Sequence, residues 1–181
     1  MKEKVIILFY PLVDPSTMIP NLPFSVMNLE RMVRDLPVKT IIIDERIEPD
    51  YESVIVKHKD NLLMAGVSSM SGYQMISGKK FSQFIKKTVN TPIVWGGWFP
   101  SVTPEIALNE DFIDIVIVGQ GEIAFRELVI GLLQNTDISS IPGLGLKENG
   151  ITINEPGPLI DEKLLPNVSL DIIEINKIIE I

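Results

Sequence analysis

The stretch Asn61-Leu-Leu-Met-Ala-Gly-Val-Ser-Ser-Met-Ser-Gly72 places a continuous apolar run directly before a cluster of small residues. A continuous run of this length predicts a strand that is buried on both faces, as in a parallel sheet covered by helices. Residues 75–89 follow with apolar side chains at helical spacing, which predicts a helix. The stretch therefore indicates one strand–loop–helix unit of an α/β fold.

Four further units of the same kind surround this one in the sequence. The predicted strands are residues 4–9, 38–43, 61–67, 92–95 and 114–118, and the predicted helices are residues 24–36, 50–59, 75–89, 103–108 and 122–133. Such alternation is typical of a parallel sheet built from βαβ units. The predicted fold is α/β: a doubly wound, mainly parallel five-stranded sheet within a domain of residues 1–140.

The alternation of predicted strands and helices ends at about Ile141. Asn149-Gly150 is a strong hairpin signal, so residues 141–181 are predicted to begin with a small hairpin that caps the domain. Residues 156–166 are rich in proline and are expected to be extended, whereas residues 169–181 fit either a strand or a helix. The sequence lacks a closing signal at its end, which suggests a piece of a longer protein.

The composition bounds the chemistry that this chain can perform alone. It has 181 residues, no cysteine and a single histidine, His58. These counts exclude disulfides, a cysteine-ligated zinc or iron–sulfur site and a thiol nucleophile within the chain, and they leave little room for a histidine-built site. The net charge of −8 disfavours nucleic acid and anionic membranes as partners.

Neither a membrane span nor a signal peptide is expected. Apolar runs are shorter than the roughly 18–20 residues that a span requires. The apolar stretch near the N-terminus lacks a small-residue cleavage site and is better explained as a buried strand. The expected compartment is the cytoplasm.

Candidate binding residues cluster in the loops after the third, fourth and fifth strands. In doubly wound sheets, ligands bind at the carboxyl ends of the strands. The loops hold Ser68, Ser69, Met70, Gly72 and Tyr73, then Gly96, Gly97 and Trp98, then Gly119, Gln120, Gly121 and Glu122. Paired glycines allow a bulky ligand to lie against the backbone, since a Cβ atom would collide with it. The other interpretation is a tight strand-to-helix turn.

Gly119-Gln-Gly-Glu-Ile-Ala124 also fits the G-x-G-x-x-A dinucleotide fingerprint. That fingerprint belongs in a first βαβ unit, whereas here it lies in the last one. Glu122 would also place a carboxylate at the helix N-terminus, where a pyrophosphate should bind. The alternative is that the glycines form a tight turn and Glu122 complements the helix dipole.

Three motifs in these loops match a known family. Ser68-x-Met70 corresponds to its S-x-L motif, Gly96-Gly97 to its paired glycines, and Gly119-Gln-Gly-Glu122 to its G-E-G-E motif with glutamine replacing the first glutamate. Over nearly the whole chain, the sequence resembles the N-terminal cobalamin (B12)-binding domain of B12-dependent radical SAM enzymes. The resemblance implies a flavodoxin-like or Rossmann-like B12 domain. Residues 141–181 would then be a hairpin and a linker toward a radical SAM domain missing from this sequence.

The resemblance also implies how cobalamin is bound. The corrin would lie across the carboxyl edge of the sheet, and its dimethylbenzimidazole tail would pass between the loops after strands three and four. The residues expected around it are Ser68, Ser69, Gly96 and Gly97 along the tail, Met70 and Tyr73 below the corrin, Trp98 at its rim, and Gly72 in the loop after strand three. We expect the backbone of residues 119–121 to touch the ligand. Gln120 and Glu122 would either bind corrin amides or cap the last helix.

The sequence departs from cobalamin carriers that ligate cobalt through a D-x-H-x-x-G motif after the first strand. Asp14 is followed by Ser16 where the histidine would stand. His58 falls on the second predicted helix between two lysines, where a solvated residue is expected rather than a metal ligand. The expected binding mode is therefore base-off, without a histidine or any other metal ligand from this chain.

The predicted function is that of a cobalamin-binding module of a B12-dependent radical SAM enzyme, with methyl transfer or related carbon chemistry. S-adenosylmethionine and a [4Fe-4S] cluster would be held by the missing domain, and this chain would supply no catalytic residue. One alternative is a scaffold domain that keeps the fold without the cofactor. The other is a dinucleotide-dependent oxidoreductase that uses residues 119–124.

Overall fold

The computed structural model describes residues 3–16, 20–147 and 150–180. They form a seven-stranded sheet in the order β2-β1-β3-β4-β5-β6-β7. The strands are β1 (Lys4–Tyr10), β2 (Val38–Asp44), β3 (Leu62–Ser68), β4 (Ile93–Gly96), β5 (Ile115–Ile117), β6 (Leu144–Leu146) and β7 (Thr152–Ile153). The first five strands are parallel and lie where the apolar runs predicted them.

The sheet has seven strands rather than five because the C-terminal hairpin joins it. β6 pairs antiparallel with β5, and β7 pairs antiparallel with β6. The hairpin therefore extends the sheet instead of capping the domain. Gly145 permits this pairing, since a Cβ atom there would lie 2.6 Å from Val116 Cγ2. Gly150 of the predicted turn has φ +118°, and Asn149 lies outside the described residues.

Helices follow most of the strands. They are α1 (Phe24–Glu30), α2 (Tyr51–His58), α3 (Tyr73–Thr88), α4 (Trp98–Val102), α5 (Pro104–Leu108), α6 (Glu122–Gln134) and α7 (Ile175–Ile179). α1 is shorter than predicted and continues as turns, and α4 was not predicted. A 3₁₀ helix, Glu162–Leu164, interrupts the stretch expected to be extended, and α7 settles the ambiguous C-terminal segment as helical.

Two apolar layers cover the two faces of the sheet, as a doubly wound fold requires. Phe9, Phe81 and Trp95 belong to one layer, in which the rings of Phe9 and Phe81 stack with centroids 4.2 Å apart. Leu8 and Phe125 belong to the other. Burial on both faces explains why the strands are apolar runs instead of alternating patterns.

The strand order β2-β1-β3-β4-β5 is the flavodoxin-like order, and it brings the carboxyl ends of five adjacent parallel strands to one edge. In the part of the chain that the structure describes, no helix is long and apolar enough to cross a membrane.

Candidate functional site

A cavity of about 310 Å³ opens at the carboxyl edge of the sheet. The ends of β1, β3, β4 and β5 form its floor, and α1 and the first turn of α6 form its sides. Its apolar wall includes Leu8, Val94, Ile117 and Phe125. Its polar groups come from serine, asparagine, glutamine and glutamate side chains and from exposed glycine backbone. Such a mixture suits a ligand with a flat apolar part and hydrogen-bonding substituents.

The paired glycines at the end of β4 have different roles. A Cβ atom added to Gly96 would have no heavy atom within 4 Å, and Gly96 lines the cavity, so its missing side chain leaves room in the site. Gly97 has φ +96°, and its Cβ atom would lie 2.7 Å from the carbonyl oxygen of Ser69. Gly96 therefore fits the interpretation that a ligand needs the space, whereas Gly97 is required by the approach of a neighbouring loop.

Backbone hydrogen bonds hold the loops after β3 and β4 together. Ser69 donates its N–H to Gly96 O at 2.8 Å and accepts from the N–H of Phe99 at 3.1 Å. Ser68 reaches across the cavity edge to α1, where its Oγ lies 2.8 Å from Ser25 Oγ. Ser68, Gly96 and Gly97 thus form one continuous side of the cavity, which we call the β3–β4 wall.

The loop after β3 is anchored away from the cavity. The N–H of Met70 donates to Gln74 Oε1 at 2.9 Å, and Gln74 Nε2 donates to Pro11 O at 3.1 Å. Gln74 is buried and so ties the loop after β1 to the start of α3. This arrangement leaves the Met70 side chain 56% exposed.

The opposite side of the cavity is built from the loop after β5 and a C-terminal segment. We call this side the β5 wall and call residues 156–166 the strap. Gln120 Nε2 donates to Ile160 O at 3.1 Å, and Ile160 N–H donates to Gln120 Oε1 at 2.7 Å. Glu162, on the strap, lines the cavity together with Gln120. The Gln120 side chain thus binds the strap, and it does not cap α6.

Glu122 opens α6 and is buried at the cavity. The positive end of the α6 dipole stabilises its negative charge. A second positive charge comes from Arg31, whose Nη2 lies 3.9 Å from Glu122 Oε1. Arg31 is itself buried, and among the described residues its Nε and Nη2 have no hydrogen-bond partner. Arg31 and Glu122 are therefore a loosely paired charge couple beneath the cavity.

The charge of the lining limits what the cavity can hold. Glu122 and Glu162 contribute carboxylates, and no lysine, arginine or histidine of the described residues lines it. A pyrophosphate would meet the Glu122 carboxylate at the α6 N-terminus, and Arg31, which partly offsets that charge, does not line the cavity. A neutral base with a ribose fits this lining better than the doubly charged pyrophosphate of a dinucleotide does.

Seven of the twelve predicted site residues line the cavity: Ser68, Gly96, Gly97, Gly119, Gln120, Gly121 and Glu122. Ser69 is buried beside it and supports the β3–β4 wall. The four that lie outside are Met70, Gly72, Tyr73 and Trp98. Gly72 precedes α3 with φ +95°, and the Trp98 side chain is 65% exposed at the start of α4.

Sequence reasoning missed the residues that α1 and the strap contribute. Ser25, Asn28 and Leu29 come from α1, and Glu162 comes from the strap. The α1 residues could have been found, because α1 follows β1 and begins at the same sheet edge. Glu162 has no comparable signal, since it lies 40 residues beyond Glu122 in the sequence.

His58 lies far from the cavity along the strands. It ends α2 and lines a groove with Lys39 near the amino end of β2, so it occupies the opposite edge of the sheet. Its pKa is lowered from the ordinary value of 6.5 by burial, and further by Lys57 and Lys39. No group of three or more potential histidine, cysteine, aspartate or glutamate ligands occurs among the described residues.

The loop that would carry a cobalt-ligating histidine is described only in part. Ser16 donates from its backbone N–H and from Oγ to Asp14 Oδ1, which forms a local exposed turn. This turn lowers the pKa of Asp14. Residues 17–19 lie outside the described residues.

The strand order and the cavity at the strand ends define an α/β domain of the doubly wound class, with a cavity at the carboxyl edge of its sheet, where such folds bind ligands. The chain belongs to the B12-binding domain family, which residues 21–129 match. The family resemblance predicted from the loop motifs is thereby confirmed, and the match favours a B12 domain over a dinucleotide domain.

The similar proteins are larger. The chain is 31% identical over 156 residues to an uncharacterized methyltransferase of Pyrococcus horikoshii, covering 82% of this chain and 34% of that protein. It thus spans about a third of the length of the curated relatives it matches.

Two solved structures share the fold. One is the cobalamin-dependent S-adenosylmethionine radical enzyme OxsB with aqua-cobalamin and S-adenosylmethionine bound (TM-score 0.81, 18% identity, 99% of this chain and 25% of that one). The other is the radical S-adenosylmethionine methyltransferase TsrM from Kitasatospora setae with cobalamin and a [4Fe-4S] cluster bound (TM-score 0.70, 20% identity, 94% of this chain and 32% of that one).

Proposed function

We propose that this B12-binding domain holds cobalamin base-off, with the nucleotide tail in the cavity and the corrin over the carboxyl edge of the sheet. The observation that carries the proposal is the open space at Gly96, where a Cβ atom would meet no heavy atom within 4 Å inside the cavity wall. When bound, cobalamin supplies a cobalt centre that can accept and pass on a methyl group.

The residues of the cavity fit the two ends of such a tail. Ser25, Asn28 and Ser68 offer hydroxyl and amide groups for a ribose, and Leu8, Val94 and Phe125 offer an apolar surface for a neutral base. The backbone of residues 119–121 lies at the same site and can touch the ligand. The carboxylates of Glu122 and Glu162 can accept hydrogen bonds from amide groups on the corrin.

We further propose that no side chain of this chain ligates the cobalt. The position of His58 at the amino edge of the sheet supports this, because it lies at the opposite end of the strands from the cavity. Met70, Tyr73 and Trp98 remain proposed contacts of the corrin, since they follow β3 and β4 at the carboxyl edge. Gly72 would let the chain turn into α3 there.

The whole protein is proposed to be a B12-dependent radical SAM enzyme that transfers a methyl group or performs related carbon chemistry. The names of its relatives support this class. Because the chain has no cysteine, a [4Fe-4S] cluster and S-adenosylmethionine would be held by a C-terminal radical SAM domain. Nucleic acid and membrane are not among the proposed partners, and the proposed compartment is the cytoplasm.

The test is retention of hydroxocobalamin by the purified chain through a desalting column, followed by a visible spectrum. We expect retention with a base-off spectrum. Gly96→Phe should fill the cavity and reduce retention at least tenfold, whereas Gly96→Ala, the matched control with the same loss of backbone freedom, should retain most binding. Unfolding curves of both variants should stay close to that of the wild type.

Several outcomes would count against the proposal. A colourless wild-type protein would favour the scaffold alternative, in which the fold is kept without the cofactor. A base-on spectrum would contradict base-off binding. Equal retention by Gly96→Phe and Gly96→Ala would place the tail elsewhere. Saturable enhancement of NAD(P)H fluorescence would favour the dinucleotide alternative.

A further inference from the structure

We infer that the strap is a retaining wall of the cobalamin site and that Gln120 is the positioning residue that latches it. The identity of the ligand in this inference rests on the proposed function. The latch itself rests on the geometry of the described residues. The latch is the pair of hydrogen bonds between the Gln120 amide and the backbone of Ile160.

The latch needs an amide side chain. Gln120 donates through Nε2 and accepts through Oε1, and Ile160 supplies the matching carbonyl and N–H. A primary amide has both functions, whereas an ionised carboxylate can only accept. Glutamine at this position is therefore chemically matched to an extended backbone passing over it.

Little else holds the middle of the strap. At one end Pro156 packs beside Gly119, where a Cβ atom would lie 3.4 Å from Pro156 Cβ. At the other end Pro166 O accepts from Arg31 Nη1 at 3.2 Å. Among the described residues between these two ends, Ile160 is the only one that forms hydrogen bonds to the rest of the domain, and both bonds are to Gln120.

Leu165, next to Pro166 at the end of the strap, packs against the apolar layer that contains Phe125, but the leucines before it add little burial. Leu159 is 86% exposed and Leu164 is 78% exposed, so neither contributes much apolar packing to this domain. A segment with few buried apolar contacts opens locally at low cost. The Gln120 latch is thus the main contact that decides whether the middle of the strap stays in place.

Opening the strap would change the cavity directly. Gln120 and Glu162 both line it, and Glu162 reaches it only because the strap is held across the β5 wall. When the strap lifts, the cavity loses Glu162 and the cover on that side. Release of a ligand bound there should therefore become faster when the latch is removed.

The first experiment tests the latch without any cofactor. Hydrogen exchange of the Ile160 amide is measured by NMR in the cofactor-free wild type, in Gln120→Ala and in Gln134→Ala, whose glutamine is exposed at the end of α6. Exchange at Ile160 should rise about tenfold in Gln120→Ala, as the loss of net hydrogen bonding predicts. The β1 and β3 amides and the Gln134→Ala control should match the wild type. Unchanged exchange at Ile160 would overturn the latch.

The second experiment measures release of bound cobalamin into an excess of a competing B12 binder. Gln120→Ala should release it about tenfold faster than the wild type and Gln134→Ala. Gln120→Glu should also be fast while its carboxylate is ionised. Its rate relative to the wild type should fall toward one as the pH drops, because a protonated carboxyl regains a donor for Ile160 O.

The two readouts separate the possible failures. Faster exchange at Ile160 with unchanged release would mean that Gln120 holds the strap but that the strap is not a wall of the site. If the wild type retains no cobalamin, the proposed function and the ligand of this inference both fail, while the exchange experiment still decides the latch. A ratio for Gln120→Glu that does not vary with pH would overturn the donor role of the amide.

Discussion

The two sides of the cavity are built in different ways. In the β3–β4 wall, backbone groups meet directly: Ser69 donates to Gly96, and Gly97 approaches the Ser69 carbonyl too closely to tolerate a Cβ atom. In the β5 wall, one side chain, Gln120, holds a segment that begins 36 residues further along the chain. The first wall is fixed by the sheet itself, whereas the second depends on a single side chain.

The largest effect is expected where the β3–β4 wall is broken. Gly97→Val places a side chain 2.7 Å from Ser69 O at a backbone φ of +96°. We expect it to lower the free energy of unfolding by about 3 kcal/mol, because backbone strain and the clash act together. Urea denaturation measures this.

Gly96→Ala is the matched control, since it adds a Cβ atom one residue earlier with no heavy atom within 4 Å. Its free energy of unfolding should stay within about 1 kcal/mol of the wild type. If Gly97→Val unfolded like the wild type and yet bound no cobalamin, Gly97 would face the ligand and not the neighbouring loop, and the difference between the two glycines would disappear.

An intermediate effect is expected beneath the β5 wall, at Arg31 and Glu122. Both are buried, and the 3.9 Å separation makes theirs a loose pair. Arg31→Met leaves the Glu122 carboxylate buried without its cation and should cost about 2 kcal/mol of stability. It also removes the donor to Pro166 O at the end of the strap.

A double-mutant cycle with Glu122→Gln separates these two contributions. The cycle should give a coupling of about 1 kcal/mol, since the two charges interact through a low-dielectric interior. Strict additivity in denaturation curves would mean that Arg31 acts through the strap alone. In that case Arg31→Met should still speed the exchange of the strap amides.

The contrast between the walls also explains what the sequence could and could not predict. The five parallel strands and the loops at their ends are local patterns, so the β3–β4 wall follows from continuous apolar runs and small residues. The role of Gly97 could not be predicted from these patterns, because it depends on the distance between Gly97 and the Ser69 backbone. α4 was missed because Gly96, Gly97 and Pro100 read as a loop, although proline fits the first turn of a helix.

The β5 wall was beyond sequence reasoning for a different reason. The sequence alone suggests a ligand contact or a helix cap for Gln120, because its hydrogen bonds to Ile160 span 40 residues and leave no local signal. The pairing of β6 with β5 likewise depends on tertiary structure. The same hairpin sequence could stand apart from the sheet or add to its edge, and the local pattern does not distinguish the two. Contacts of this kind become visible only when the strand order is known.

The smallest effect is expected at the edge of the sheet remote from both walls, where His58 faces a groove shared with Lys39, Asp44, Glu48, Lys57, Glu174 and Lys177. Burial, then Lys57 and Lys39, lower its pKa below 6.5, so the folded protein favours the neutral imidazole. Below pH 6.5 the unfolded chain therefore binds a proton more readily than the folded chain, and stability falls as the pH drops toward the folded pKa.

As the only histidine, His58 gives a single imidazole NMR titration, which should have its midpoint below 6.5 and keep it when cobalamin is added. A midpoint above 6.5 would contradict the burial of His58. A titration abolished by cobalamin would make His58 a cobalt ligand and remove the contrast between the two edges.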